Sequence, residues 1–213
     1  MTAMEMQSNQ TSPGAPGVGE RSGGGLEFSP PTADDGLAVH RLIAACPPLD
    51  QNSVYCNLLQ CTHFADTCVT VKRGDELVGW ISAYRPPQEP DVLFVWQVAV
   101  GESARGLGLA GRMIDHLLQR PACTGVTKIK TTITPDNGAS WGLFKGVARR
   151  VSGPLSDAPW FLKGEHFPEG HETEHLVVIG PFEPPSGHST EPGGLAADTQ
   201  FTDPTPRKGI QYV

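Results

Sequence analysis

One stretch limits the fold more than any other: Phe94–Arg120, FVWQVAVGESARGLGLAGRMIDHLLQR. It opens on an apolar run from Phe94 to Val100, broken only by Gln97. The run is too short to span a membrane and is bounded by turns, so it reads as a buried strand. A polar turn and a glycine-rich segment follow. Leu109, Met113, Ile114, Leu117 and Leu118 then recur at three- and four-residue spacing, the mark of one apolar helical face. Strand, glycine turn and helix together aim backbone N–H groups and a positive helix end at one anion. A phosphorylated ligand is the expected occupant.

The glycines admit three readings. Gly106-Leu107-Gly108-Leu109-Ala110-Gly111 satisfies G-x-G-x-x-G, the dinucleotide fingerprint. That fingerprint should begin where the strand ends, with an acidic residue about 20 residues on, at the end of the next strand. Here Gly101–Arg105 intervenes, and the next apolar segment, Val126–Thr134, has no acidic residue. A second reading is a glycine-softened turn into an ordinary core helix. The third accounts for more residues. Arg105-x-x-Gly108-x-Ala110, after an apolar strand carrying a hydrophilic Gln97, resembles the acyl-CoA pyrophosphate loop of the GNAT N-acetyltransferase superfamily. The resemblance implies that Arg105, Gly106, Gly108 and Ala110 bind acetyl-CoA, the glycines admitting the pyrophosphate and the arginine adding charge.

Composition narrows the partners. Residues 1–25 and 184–213 are rich in Gly, Pro and Ser and poor in apolar surface, so both are expected to be disordered tails around one domain, 26–183. A net charge of −7 without a basic cluster argues against nucleic acid. No apolar run is long enough for a membrane span, and no basic patch leads into an apolar core at the N-terminus. Five cysteines at irregular spacing suggest reduced thiols in a cytoplasm.

The remaining pattern supplies the elements. Leu26-Glu27-Phe28 is a short strand, and Thr32 with Asp34 and Asp35 opens a helix lined by Leu37, Leu42, Ile43 and Cys46. A second helix begins near Asn52 or Ser53 with Leu58 and Leu59 inward. Thr67–Lys72 and Leu77–Tyr84 form a hairpin about Arg73-Gly74-Asp75. After the central strand and helix come a strand over Val126–Thr134, a helix over Ala139–Val147, and strands at Pro159–Lys163 and His175–Ile179. That order resembles the GNAT acyl-CoA N-acyltransferase fold. The implied class is α+β, a mixed, largely antiparallel sheet splayed at the cofactor loop, with helices on both faces.

Three segments carry a narrower resemblance. PPLDQNSVYCNLL (Pro47–Leu59), the strand FVWQVAV and Gly170-His171-Glu172-Thr173-Glu174 are together similar to the L-2,4-diaminobutyrate acetyltransferase family of ectoine biosynthesis. This implies acetyl transfer from acetyl-CoA to the 4-amino group of diaminobutyrate by direct attack on the thioester, in a homodimer. It also implies a substrate pocket lined by Asp50, Asn52, Tyr55, Trp96, His171 and Glu174, with Glu174 as base or water-positioning group, Asp50 on an ammonium, and Tyr55 a further catalytic candidate. Backbone N–H groups near Val98 and Val100 would meet the oxyanion, and Asn137 would contact the CoA arm. Taken alone, Asp50 reads equally as a helix cap, Tyr55 and Trp96 as core residues, Glu174 as a solvated strand residue and Asn137 as an N-cap. Many GNAT enzymes carry a thiolate-protonating tyrosine on the later helix, where this chain offers Trp141 and Phe144. Its tyrosines are Tyr55, Tyr84 and Tyr212, so the proton donor is unassigned.

Two alternatives stay open: a GNAT enzyme for another small amine, and a silent acyl-CoA-binding module. His171-Glu172-Thr173-Glu174-His175 also fits the zinc motif H-E-x-x-H, which requires a helix to bring both histidines to one metal. Its flanks read as loop into strand, so no metal is expected. In a regular strand His171 and Glu174 would face opposite sides, so a shared pocket requires His171 to lie in the loop or a bulge to intervene.

Overall fold

The computed structural model describes residues 25–167 and 170–184. Apart from Gly25 and Pro184, the two expected tails lie outside the described residues. The elements are β1 (Leu26–Ser29), α1 (Gly36–Ala44), α2 (Val54–His63), β2 (Val69–Arg73), β3 (Glu76–Tyr84), β4 (Val92–Val100), α3 (Leu109–Leu118), β5 (Lys128–Ile133), α4 (Gly138–Arg150), β6 (Leu155–Phe161) and β7 (Glu174–Ile179). Their order is the expected one. The strands form one seven-stranded sheet in the order β1-β2-β3-β4-β5-β7-β6. Only β4 and β5 pair in parallel; the other neighbours are antiparallel.

Each face of the sheet buries its own helices. Leu109, Met113, Ile114, Leu117 and Leu118 of α3 join Phe144 and Val147 of α4 over Ile81, Val95, Ile129 and Val177. On the opposite face Val39, Leu42, Ile43 and Cys46 meet Cys61 of α2 over Trp80 and Ala99. The apolar face read into α3 is therefore the one buried. The start of α1 also follows its residues: Asp35 accepts hydrogen bonds from the Thr32 N–H (2.8 Å) and hydroxyl (3.1 Å) and pairs with Lys72 Nζ at 2.8 Å.

Two local expectations shift. The helix α2 buries Asn57, Gln60 and Cys61, while Leu58 and Leu59 are only half-buried, because its inner face borders a cavity as well as the core. The strand expected at Pro159–Lys163 runs instead over Leu155–Phe161. It is an edge strand with most residues exposed, so no alternation of apolar residues marks where it begins.

Candidate active site

The site grows from a fork in the sheet. β4 and β5 pair only at Val92–Lys128, Leu93–Ile129 and Phe94–Lys130, and beyond Phe94 the two strands part. On its other edge the end of β4 remains paired with β3, with Gly79 opposite Val100 and Ile81 opposite Val98. The Gly101 N–H donates to the Val78 carbonyl at 2.9 Å. Antiparallel ladders alternate bonded and non-bonded pairs, so Val100 and Val98 occupy the non-bonded pairs and turn their N–H and C=O groups toward the open side of the fork. The Val100 carbonyl accordingly accepts from Arg105 Nε at 3.2 Å.

The glycine turn closes the mouth of the fork. Gly106 (φ 76°) and Gly108 (φ 65°) are left-handed, and Gly108 directly precedes α3. A Cβ at either position would meet nothing within 4 Å, so the glycines serve the backbone path and an open surface rather than close packing. Arg105 is exposed here and Ala110 lies in the first turn of α3, whose leading N–H groups have no acceptor within the helix. Asn137 caps α4, its Oδ1 accepting from the Ser140 N–H at 3.0 Å, which leaves its Nδ2 for another partner. The capping role is thus real and compatible with a ligand contact.

Behind the fork lies a cavity of about 720 Å³, whose walls include Asp50, Trp96, His171 and Glu174. Each arrives by a different local device. Ser53, not Asp50, caps α2, its Oγ accepting from the Cys56 N–H at 3.1 Å, and the Asp50 side chain is free to face the cavity. Gln97, buried in β4, clasps that loop: its Nε2 donates to the Asp50 carbonyl at 2.7 Å and its Oε1 accepts from Asn52 Nδ2 at 3.0 Å. Asn52 therefore holds the loop and does not line the cavity. Between Val95 and Gln97 the register with β3 slips by one residue, with Gln97 opposite Ser82 and Val95 opposite Ala83. The extra residue is Trp96, which lines the cavity as Phe94 does two residues earlier on the same face of the strand. Tyr55 is 69% exposed and lies outside the cavity walls of this chain.

His171 and Glu174 meet because β7 begins only at Glu174, which leaves His171 in the loop. His171 stacks on Phe167 with ring centroids 3.9 Å apart, and its Nδ1 lies 2.7 Å from the Glu172 carbonyl. A carbonyl only accepts, so Nδ1 carries a proton and Nε2 is the nitrogen 3.9 Å from Glu174 Oε1. The other oxygen, Oε2, is buried without a hydrogen-bond partner among the described residues. Burial pushes the Glu174 carboxyl above its ordinary value, the charges of Asp50 and Asp136 add to this, and Thr132 and His171 oppose it. A half-buried carboxylate of raised affinity for protons, next to an aspartate, suits proton acceptance from an amine.

The H-E-x-x-H residues run from loop into strand, as expected. His175 bonds Asp157 on β6 at 2.8 Å and does not share a helix face with His171. No group of three or more His, Cys, Asp or Glu among the described residues is placed to hold a metal ion.

The structure adds cavity residues that the sequence reading passed over: Gln60, Ser82, Tyr84 and the ion pair Lys130–Glu89. The signal for Ser82 is of the kind that marked Gln97, a polar residue inside an otherwise apolar strand. Gln60 gives no such signal, because polar residues in a surface helix are ordinary.

Residues 37–147 match the model of the acetyltransferase (GNAT) family. The chain is 57% identical over 157 residues to L-2,4-diaminobutyric acid acetyltransferase of Methylotuvimicrobium alcaliphilum, covering 74% of this chain and 91% of that protein. It is 48% identical over 152 residues to the enzyme of the same name from Vibrio cholerae, covering 71% and 88%. Among solved structures, diaminobutyrate acetyltransferase EctA from Paenibacillus lautus, in complex with its substrate L-2,4-diaminobutyric acid and coenzyme A, is 44% identical. It superposes with a TM-score of 0.72 over 76% of this chain and 98% of that one. A forked sheet, a glycine turn at its mouth and an acidic cavity behind it thus coincide with similarity over nearly the whole length of these enzymes, and the chain belongs to the L-2,4-diaminobutyric acid acetyltransferases of the GNAT acetyltransferase family.

Proposed function

We propose that this chain transfers the acetyl group of acetyl-CoA to the 4-amino group of L-2,4-diaminobutyrate, forming N4-acetyl-L-2,4-diaminobutyrate for ectoine biosynthesis. The observation that carries the reading is the convergence of Asp50, Trp96, His171 and Glu174 on one cavity behind the β4–β5 fork. Acetyl-CoA lies across the fork, its pyrophosphate on the backbone of Gly106, Gly108 and Ala110 with Arg105 beside it, and its arm near Asn137. Asp50 grips an ammonium. Glu174 takes the proton of the attacking amine, directly or through a water, since a free alkyl amine has a pKa of about 10 and is mostly protonated at neutral pH. The N–H groups of Val98 and Val100, turned to the open side of the fork, meet the oxyanion, whose collapse breaks the C–S bond and expels CoA as a thiolate that takes its proton from water.

No helix among the described residues is long and apolar enough to cross a membrane. We place the enzyme in the cytoplasm, in line with five cysteines that are all free thiols. A homodimer is supported by the apolar strip of Trp160, Phe161 and Leu162 left exposed at the β6 edge, which a second copy would cover. Sedimentation of the full chain checks this, a monomer overturning it.

The decisive assay is thiol release from acetyl-CoA with a panel of diamino acids, with and without chelator. Chelator-insensitive turnover, fastest with 2,4-diaminobutyrate, is expected. Faster turnover of another amine would move the chain to a different substrate, and bound acetyl-CoA without turnover would identify a silent binding module.

A further inference from the structure

The inner face of α2 carries amides where leucines were expected. Asn57 is fully buried and Gln60 is 2% exposed. With His40 they form a directional chain: His40 Nδ1 lies 3.3 Å from Asn57 Oδ1, and Asn57 Nδ2 donates to Gln60 Oε1 at 3.0 Å. Asn57 Oδ1 accepts from the imidazole and Gln60 Oε1 accepts from Asn57, so the unspent end of the chain is Gln60 Nε2, a donor only. That nitrogen is buried without a partner among the described residues, and Gln60 lines the cavity. Ser82 of β3, 1% exposed, lines the same cavity, and its hydroxyl is likewise buried and unpartnered. Buried donors without acceptors are costly and are retained where a ligand completes them.

We propose that Gln60 and Ser82 anchor the α-carboxylate of the substrate and so decide which of its amino groups reaches the thioester. The inference rests on the diaminobutyrate reading. That substrate brings two amino groups and one carboxylate. Asp50 and Glu174 suit the amino groups and repel the carboxylate. The cavity lysine, Lys130, is already neutralised by Glu89. Gln60 and Ser82 line the same cavity and each brings a donor suited to a carboxylate oxygen, and being neutral they do not compete with the ammonium for Asp50 and Glu174. Fixing the carboxylate fixes the two amino groups at different distances from the fork, which is a regiochemical choice made by position.

The test compares 2,4-diaminobutyrate with 1,3-diaminopropane, which keeps both amino groups and lacks the carboxylate. The proteins are wild type, Ser82→Ala, Gln60→Glu and Lys130→Met. Ser82→Ala deletes a hydroxyl with no partner among the described residues, and Gln60→Glu keeps the oxygen that Asn57 needs, so both should fold, and thermal unfolding checks this. We expect kcat/KM for diaminobutyrate to fall about 10- to 100-fold in each, as for loss of a hydrogen bond to a charged group, mainly through KM. Turnover of 1,3-diaminopropane should stay near wild type in Ser82→Ala. Equal losses on both substrates would show a structural role and overturn the proposal. So would unchanged kinetics in both variants, with the diaminobutyrate-specific loss appearing in Lys130→Met instead. Wild-type protein inactive on diaminobutyrate would overturn the functional reading itself, which separates the two failures.

Discussion

Glu174 shows how much of a residue's chemistry depends on its surroundings. Its position beside His171 was legible as a motif, but its raised proton affinity comes from burial at the start of β7 and from the nearby charges of Asp50 and Asp136. The proposed base must be ionised, so kcat/KM should fall as the pH drops through that raised value. Glu174→Gln should lower kcat by about 10²–10⁴-fold and abolish that acid limb, with KM for acetyl-CoA unchanged. Turnover close to wild type would remove Glu174 from the proton path. Asp50 could not be separated from a helix cap by sequence alone; the separation came from Ser53 taking the cap. Trp96 taken alone likewise read as packing, because a large apolar residue inside a mostly apolar strand carries no mark of which side it faces. Tyr55 carried the same motif weight as Asp50 yet stands outside the cavity, since one turn of helix is enough to point it elsewhere. The cavity tyrosine is Tyr84, whose ring packs tilted against Phe94 with ring centroids 5.2 Å apart.

Elements respond to changes at their ends. At the start of α1, Asp35 would be raised by burial, but the hydrogen bonds of Lys72 and Thr32 outweigh this and hold its carboxyl below the usual range. A depressed folded-state value stabilises above the ordinary aspartate range, and that contribution is lost as pH falls through the depressed value. Asp35→Asn should therefore cost about 1–2 kcal/mol at neutral pH, with the gap to wild type closing in acid. Urea denaturation at several pH values measures it. At the start of α3, Gly108→Ala places a Cβ in open space but in a left-handed conformation, a cost of roughly 1–2 kcal/mol. Because that backbone is proposed to hold the pyrophosphate, KM for acetyl-CoA should rise while KM for the diamine does not. Arg105→Ala should act the same way without the loss of stability, and an unchanged KM would take Arg105 out of the cofactor site. The buried face of α3 was legible because its partner is uniform core; that of α2 was not, because the helix faces both core and cavity, although the helix itself starts where expected.

At the scale of the molecule, the cavity depends on β7 lying between β5 and β6, which brings His171 and Glu174 across from Asp50 and Trp96. The exit of β7 is tightly built. Gly180 donates its N–H to the Pro154 carbonyl at 2.8 Å, adopts φ 121°, and has room for no side chain, since a Cβ would sit 2.5 Å from the Thr127 carbonyl. Gly180→Ala should cost about 2–3 kcal/mol, and a domain of this size loses roughly 2–4 °C of melting temperature per kcal/mol. An unchanged melting temperature would mean that this corner yields readily.

By itself the sequence determined the element order, the buried face of α3, the glycine turn with Arg105, and the motif positions of Asp50, His171 and Glu174. The first three are written in local periodicity or in backbone-permissive residues, which act over a few residues; the site positions came from the resemblance of short motifs to a family. Tertiary structure decided where β4 and β5 part, the register slip at Trp96, and the buried amides behind the cavity. These depend on pairing between residues far apart in the chain, where one slip of register changes what a side chain faces, and no local pattern encodes it.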